Sequence, residues 1–229
     1  MMTKTAIVTG AAGNLGRAVV KKLVENNYKI IGTVQKKKTG NISPPNFEEA
    51  ELDLLNEESC QKLVGEIIAK NKSIDVAVLT AGGFKMGDIA ETKTNDVARQ
   101  YQLNFETAYN IARPVFVQML KQNSGRIFLV GSRAGLDVTQ AEGVTSYAFS
   151  KSLLFRLAEL MNAEAKKKNV VISVIVPSTI DTPENRESMP DADFSTWVSP
   201  SEIAGVIQYY ASAEAAALRE PMIKIYNTA

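Results

Sequence analysis

Short, unbroken apolar runs alternate along this chain with longer stretches in which apolar positions recur every three or four residues. That alternation is the signature of strands joined by crossover helices. Runs such as Val170-Val171-Ile172-Ser173-Val174-Ile175-Val176 are apolar on both faces, as expected of strands covered by helices on both sides. The pattern predicts seven strands, at residues 5–9, 29–34, 49–53, 74–80, 125–131, 170–177 and 222–226. Helices are predicted at 14–26, 57–70, 94–122, 145–168 and 200–213, with Pro114 expected to kink the third. Ser199-Pro200-Ser201-Glu202 begins the last one with a capping serine, a proline suited to the first helical position, and the glutamate of a capping box.

These elements fit a single domain over residues 1–229, an α/β fold of Rossmann type with a doubly wound, seven-stranded parallel sheet. Two connections, 35–47 and 178–198, are longer than structural links usually are. The second is polar at its root and apolar further on, with Met189, Phe194 and Trp197, and is expected to form a substrate lid.

Composition narrows the chemistry. Twenty-six Lys and Arg balance 25 Asp and Glu for a net charge of +1, so no overall field draws the chain to nucleic acid or a membrane surface. A small-molecule substrate is expected. With no histidine and one cysteine, Cys60, neither a histidine triad nor a zinc cluster can be built, and no metal site is expected. The lone cysteine and the lack of an apolar leader point to the cytoplasm. Acid and base work falls to Tyr, Lys or carboxylates.

After the first strand comes Thr9-Gly10-Ala11-Ala12-Gly13-Asn14-Leu15-Gly16, opening a helix. Glycines at this turn let backbone amides approach a pyrophosphate at a helix amino end, so Gly10, Gly13, Asn14, Leu15 and Gly16 are candidate dinucleotide contacts. At the end of the second strand, where an acid would bind the ribose hydroxyls of NAD, stand Val34, Gln35 and Lys36-Lys37-Lys38. No carboxylate repels a 2′-phosphate and cations can attract one, so NADP(H) is expected over NAD(H), with Gln35 and Lys36 beside it. Tyr147 and Lys151, at i and i+4 in Tyr147-Ala148-Phe149-Ser150-Lys151, share one helix face. An ammonium there would lower the phenol's pKa and let it exchange a proton during hydride transfer.

With these motifs in place, the whole chain resembles the short-chain dehydrogenase/reductase family. The resemblance implies that Ser132, in Gly131-Ser132-Arg133-Ala134-Gly135, orients a substrate carbonyl, that Tyr147 transfers the proton, and that Lys151 also holds the nicotinamide ribose. It implies that Asn104, in Gln102-Leu103-Asn104-Phe105, completes a proton relay. Leu52-Asp53-Leu54 resembles the family's adenine-facing segment, which assigns Asp53 and Leu54 to the cofactor. Pro177-Ser178-Thr179-Ile180-Asp181-Thr182 resembles the family's nicotinamide grip and assigns Pro177, Ile180 and Thr182. The 15 residues from Ser132 to Tyr147 exceed the family's spacing by two, which places extra loop at 138–143.

Ala81-Gly82-Gly83-Phe84 and the segment from Ile180 to Trp197 resemble dihydropteridine reductases more narrowly, and the former assigns Ala81 and Gly82 to the cofactor cleft. Two enzymatic readings therefore stand: carbonyl/alcohol oxidoreduction and reduction of a quinonoid pterin, with a substrate pocket expected around Phe84, Met86, Met189 and Trp197. A third is a non-catalytic dinucleotide sensor. A sugar-nucleotide epimerase is disfavoured, because the chain lacks residues for a second domain. The resemblance also implies a homodimer or homotetramer built on the two long helices, for which Ala108, Ala112, Val115, Phe155 and Leu157 are candidate contacts.

Overall fold

A computed structural model describes residues 3–35 and 46–228. Seven parallel strands, β1 (Thr5–Thr9), β2 (Lys29–Val34), β3 (Phe47–Glu51), β4 (Val76–Leu79), β5 (Ser124–Val130), β6 (Asn169–Pro177) and β7 (Met222–Ile225), form one sheet. Their order is β3-β2-β1-β4-β5-β6-β7, so the chain winds outward from β1 in one direction and then from β4 in the other. The crevice at that reversal, above the carboxyl ends of β1 and β4, is where a doubly wound sheet takes its ligand.

Successive strand residues feed opposite layers, which is why the strands read as continuous apolar runs. Ile7, Ala77, Ile127, Leu129 and Ile172 face a layer that includes α2 (Glu57–Asn71), α4 (Thr107–Gln122) and α6 (Thr145–Glu164). Ala6, Val8, Val78, Phe128 and Ile175 face α1 (Asn14–Glu25) and α8 (Pro200–Ala211). The α8 capping box forms as expected: Glu202 N–H donates to Ser199 Oγ at 3.2 Å, and Ser199 N–H to a Glu202 carboxylate oxygen at 2.8 Å.

Several expectations change. β3 sits two residues early and is an edge strand whose residues are only partly buried, so no apolar alternation fixed its bounds. The expected long third helix is α3 (Thr94–Tyr101), a π-turn at Gln102–Glu106, then α4, which carries Pro114 inside it. The discontinuity thus lies ten residues before the proline in sequence, around Asn104. The loop after β5 is ordered into α5 (Arg133–Leu136) and a 3-10 turn at Val138–Gln140. Of the expected oligomer contacts, Ala108, Ala112, Val115 and Leu157 are buried within the protomer and Phe155 packs against the same core. Exposed apolar side chains on these helices are others, Tyr109 and Val117 on α4 and Phe149, Leu153 and Leu160 on α6.

The segment expected to form a lid is a small built unit. Ile180 bridges Val198, Asp181 N–H donates to Val198 O at 2.8 Å, and Thr182 caps α7 (Pro183–Ser188) through a 3.2 Å bond from Asn185 N–H. Trp197, expected at the greasy tip, is instead 7% exposed and packed 4.8 Å from the Phe194 ring centroid, so it anchors the lid to the body. Among the described residues no helix is long and apolar enough to cross a membrane.

Candidate active site

Above β1 and β4 lies a cavity of about 190 Å³ lined by Gly10, Ala12, Gly13, Thr33, Val34, Gln35, Leu52, Leu54, Thr80, Ala81 and Gly82. Its floor is made by leaving atoms out. Gly10 has φ +63°, in the left-handed region that an L side chain resists. A Cβ on Gly16 would fall 2.2 Å from Gly10 O, so only glycine lets α1 come this close to β1. Gly13 precedes α1 without a side-chain cap, and the first turn holds no acid, which leaves the helix amino end electropositive and its amides available to an anion. Thr33 Oγ1, buried on the cavity wall, has no hydrogen-bond partner among the described residues. A cleft with an uncapped helix terminus at one side and an orphaned buried hydroxyl at another fits a dinucleotide. The site residues would hold its adenosine and pyrophosphate.

Other expected cofactor contacts scatter around this cleft. Leu15 is buried among the residues packed under α1, and Asn14 donates to Glu184 of the lid at 2.7 Å. Asp53 lies between the lining residues Leu52 and Leu54, and its carboxylate accepts from Leu55 N–H at 3.0 Å. Asn56, not Asp53, caps α2. Pro177 ends β6, with Ile180 and Thr182 at the lid root. Lys36, with Lys37 and Lys38, falls outside the described residues.

The catalytic candidates converge beside this cleft. Ser132 follows β5 and caps α5, its hydroxyl accepting from Gly135 N–H at 3.1 Å while also hydrogen-bonding Tyr147. Tyr147 and Lys151 lie on the first turns of α6. Lys151 Nζ is 5.7 Å from the Tyr147 ring centroid and donates to Val130 O at 2.7 Å. Burial lowers Lys151 to about 8, because its ammonium is held among protein groups with no carboxylate beside it. Burial also raises the Tyr147 phenol, and the Ser132 hydrogen bond draws it partly back. The expected lowering of Tyr147 by Lys151 is therefore not what the protein's own groups produce. Desolvation is the largest influence on the phenol, and the Lys151 nitrogen is committed to the Val130 carbonyl.

Asn104 sits in the π-turn, where the extra residue of the wider turn re-aims a side chain. Its Oδ1 accepts from Gly83 N–H at 3.0 Å, and its amide shares two N–H groups among Gly83 O (3.0 Å), Gln100 Oε1 (2.9 Å) and Ser150 Oγ (3.0 Å). Ser150 in turn donates to Tyr147 O at 2.8 Å. Sequence reasoning named the ends of this network and missed Ser150, Gln100 and Gly83 between them. Ser150, inside the Tyr-to-Lys interval, carried a weak signal; the other two carried none. Phe84 meets Tyr147 edge-on, centroids 4.9 Å apart, and is 62% exposed. No group of acids, cysteines or histidines that could hold a metal occurs among the described residues.

Such a site can bind a dinucleotide along the cleft and present a hydroxyl pair, Ser132 and Tyr147, to a substrate oxygen. The chain is similar to known proteins along most of its length. Acetoacetyl-CoA reductase of Acinetobacter sp. (strain RA3849) is 27% identical over 93% of this chain and 92% of its own. A 3-oxoacyl-[acyl-carrier-protein] reductase of Thermotoga maritima is 25% identical, covering 97% of this chain and 96% of its own. Among solved structures, ElxO with NADP bound superposes with a TM-score of 0.89 at 21% identity, over 98% of this chain and 97% of its own. The model of the short chain dehydrogenase family matches residues 4–193, which span the glycine loop, Asn104, Ser132, Tyr147 and Lys151. The chain belongs to that family and is an oxidoreductase of it.

Proposed function

We propose that this protein is an NADP(H)-dependent reductase of a small carbonyl substrate. The carrying observation is the state of Tyr147: a phenol pushed above its ordinary 10.0 by burial, beside Ser132, stays protonated at neutral pH and suits a group that gives a proton to a carbonyl oxygen. When bound, the cofactor supplies the hydride. Ser132 and Tyr147 hydrogen-bond the substrate oxygen, Tyr147 protonates it, and the Asn104-Ser150 chain fixes the backbone that carries Tyr147. Lys151, held by Val130 O, places a cation beneath the phenol.

The preference for NADP(H) is supported by the absence of an acid at Val34 and Gln35 on the cavity wall, and by the NADP carried by ElxO. The acyl-thioester reductases among the relatives favour 3-oxoacyl substrates. A second reading, reduction of a quinonoid pterin, is favoured by one feature, the exposed Phe84 ring against Tyr147, on which a flat heterocycle could stack. Purified protein given NADPH with acetoacetyl-CoA, and separately with quinonoid dihydropterin, divides the two. Oxidation of NADPH by the pterin alone defeats the first reading.

Assembly as a homodimer or homotetramer is part of this proposal. Tyr101, Phe105 and Tyr109 form a row of rings 5.3 and 5.8 Å apart along the α3–α4 segment, and Phe149, Leu153 and Leu160 stand exposed on α6. Contiguous exposed apolar faces are characteristic of interaction surfaces. A cytoplasmic location fits an enzyme whose single cysteine is buried and free.

A further inference from the structure

Three threonines stand at the carboxyl ends of β1, β2 and β4, and two of them are bonded within the protein. Thr80 Oγ1 donates to Thr9 O at 2.6 Å, and Thr9 Oγ1 accepts from Ala81 N–H at 3.2 Å. Thr33 is the third. It lines the cavity wall at 1% exposed, and its Oγ1 has no hydrogen bond among the described residues. A buried hydroxyl without a partner lowers stability, because it gives up its bonds to water and receives none in return. Valine has nearly the same shape without that cost, and the neighbouring side chains of β2 are Ile30, Ile31 and Val34.

The hydroxyl is fixed where it stands. Thr33 O accepts from Ala11 N–H and Val34 O from Leu52 N–H, each at 3.0 Å, so this end of β2 is held on both sides. Strand alternation sends Thr33 to the face opposite Gly32, where an added Cβ would lie 2.6 Å from Ala11 Cβ and 2.5 Å from the Phe47 ring. Leu52 and Leu54, which pack with Ile31 on the Thr33 face, line the same cavity. The wall is therefore apolar around one buried hydroxyl, an arrangement that suits a flat heterocycle with a polar edge. Gln35, nearer the end of this wall, is exposed, so a charged 2′-phosphate can keep its water there while Thr33 lies deeper.

We infer that Thr33 recognises the adenine of the cofactor, its hydroxyl hydrogen-bonding the polar edge of the base. This rests on the reading of the cleft as a nicotinamide dinucleotide site. The free protein carries the cost of an unsatisfied hydroxyl, and the bound base supplies the missing bond, so stability is given up here for affinity. The base is common to NAD and NADP, and Thr33 therefore serves both alike.

Thermal unfolding of the free protein, with fluorescence titration by NADPH and by NADH, tests this in wild type, Thr33→Val and Thr33→Ser. Valine removes the hydroxyl and keeps the shape. The expected result is a free protein with a Tm about 3 °C higher and a Kd about tenfold higher for both nucleotides. The inhibition constant of adenosine monophosphate against NADPH should rise by the same factor. Thr33→Ser, which keeps the hydroxyl, should bind both nucleotides within about twofold of wild type. A lower Tm in the valine variant would mean that the hydroxyl is bonded inside the protein, unchanged affinity that it is idle, and a loss confined to NADPH that it faces the 2′-phosphate. Each of these overturns the assignment, as does an equal loss of affinity in the serine variant. Failure of wild type to bind either nucleotide defeats the site reading itself, and the assignment with it.

Discussion

The two halves of the site are built by opposite means. The glycine-loop half is defined by atoms it lacks: no Cβ on Gly10 or Gly16, no side-chain cap on α1, no acid at position 34 or 35. The catalytic half is defined by polar atoms buried within it, Ser132, Asn104, Ser150 and Lys151, each tied to a specific partner. The first is broken by adding atoms and the second by removing them. The first also binds through backbone and shape, which tolerate most chemistry, whereas the second depends on individual protons.

Gly16→Val should have the largest effect. Even its Cβ would lie 2.2 Å from a backbone oxygen, so α1 must leave β1. Loss of several kcal/mol of stability, with loss of NADPH binding, is expected in urea unfolding and nucleotide titration. Next is Tyr147→Phe, which keeps the ring against Phe84 and deletes the proton: turnover should fall about 10³-fold with nucleotide affinity unchanged. A matching loss of affinity would place Tyr147 in binding instead.

Lys151→Met sharpens the contrast, because activity and stability should move apart. Folding lowers Lys151 from its ordinary 10.5 to about 8, so at neutral pH the native state bears the cost of a buried charge. Wild-type stability should rise between about pH 8 and 10, as the unfolded chain still holds the proton that the native lysine has lost. Above about 10 the raised Tyr147 acts in the opposite sense, since the folded phenol keeps a proton that the unfolded one gives up. Lys151→Met should be inactive, more stable than wild type by about 2 kcal/mol at pH 7, and without the alkaline rise. In wild type the carbonyl-reduction rate should decline above about pH 8, as Lys151 loses its charge.

Ser150→Ala should have the smallest effect. It removes the link between Asn104 and the Tyr147 carbonyl without touching substrate, so kcat should drop about tenfold with KM little changed. Restoration by Ser150→Thr would assign the effect to the hydroxyl; an equal loss in both variants would assign it to packing.

This contrast also explains what could be read in the sequence. Gly10, Gly13 and Gly16 lie within one turn, and Tyr147 and Lys151 within one helical repeat, so local spacing alone brought them forward. Asn104 was reached only through family resemblance, since its role depends on a π-turn that a helical pattern does not reveal. Gln100 and Gly83 join it through tertiary approach and carry no local mark. Trp197 was misplaced because an apolar residue in a long connection reads the same whether it faces a pocket or the core. Edge strand β3, with Glu48, Glu49 and Glu51, offered no apolar period to set its limits.

The account turns on Tyr147 as the proton donor of an NADPH-dependent reductase. Single-turnover oxidation of bound NADPH by acetoacetyl-CoA, followed in wild type and Tyr147→Phe at matched cofactor occupancy, tests it most directly. Rapid oxidation in wild type and a rate about 10³-fold lower in the variant are expected. Equal rates in the two proteins, or no oxidation by wild type at full occupancy, would contradict it.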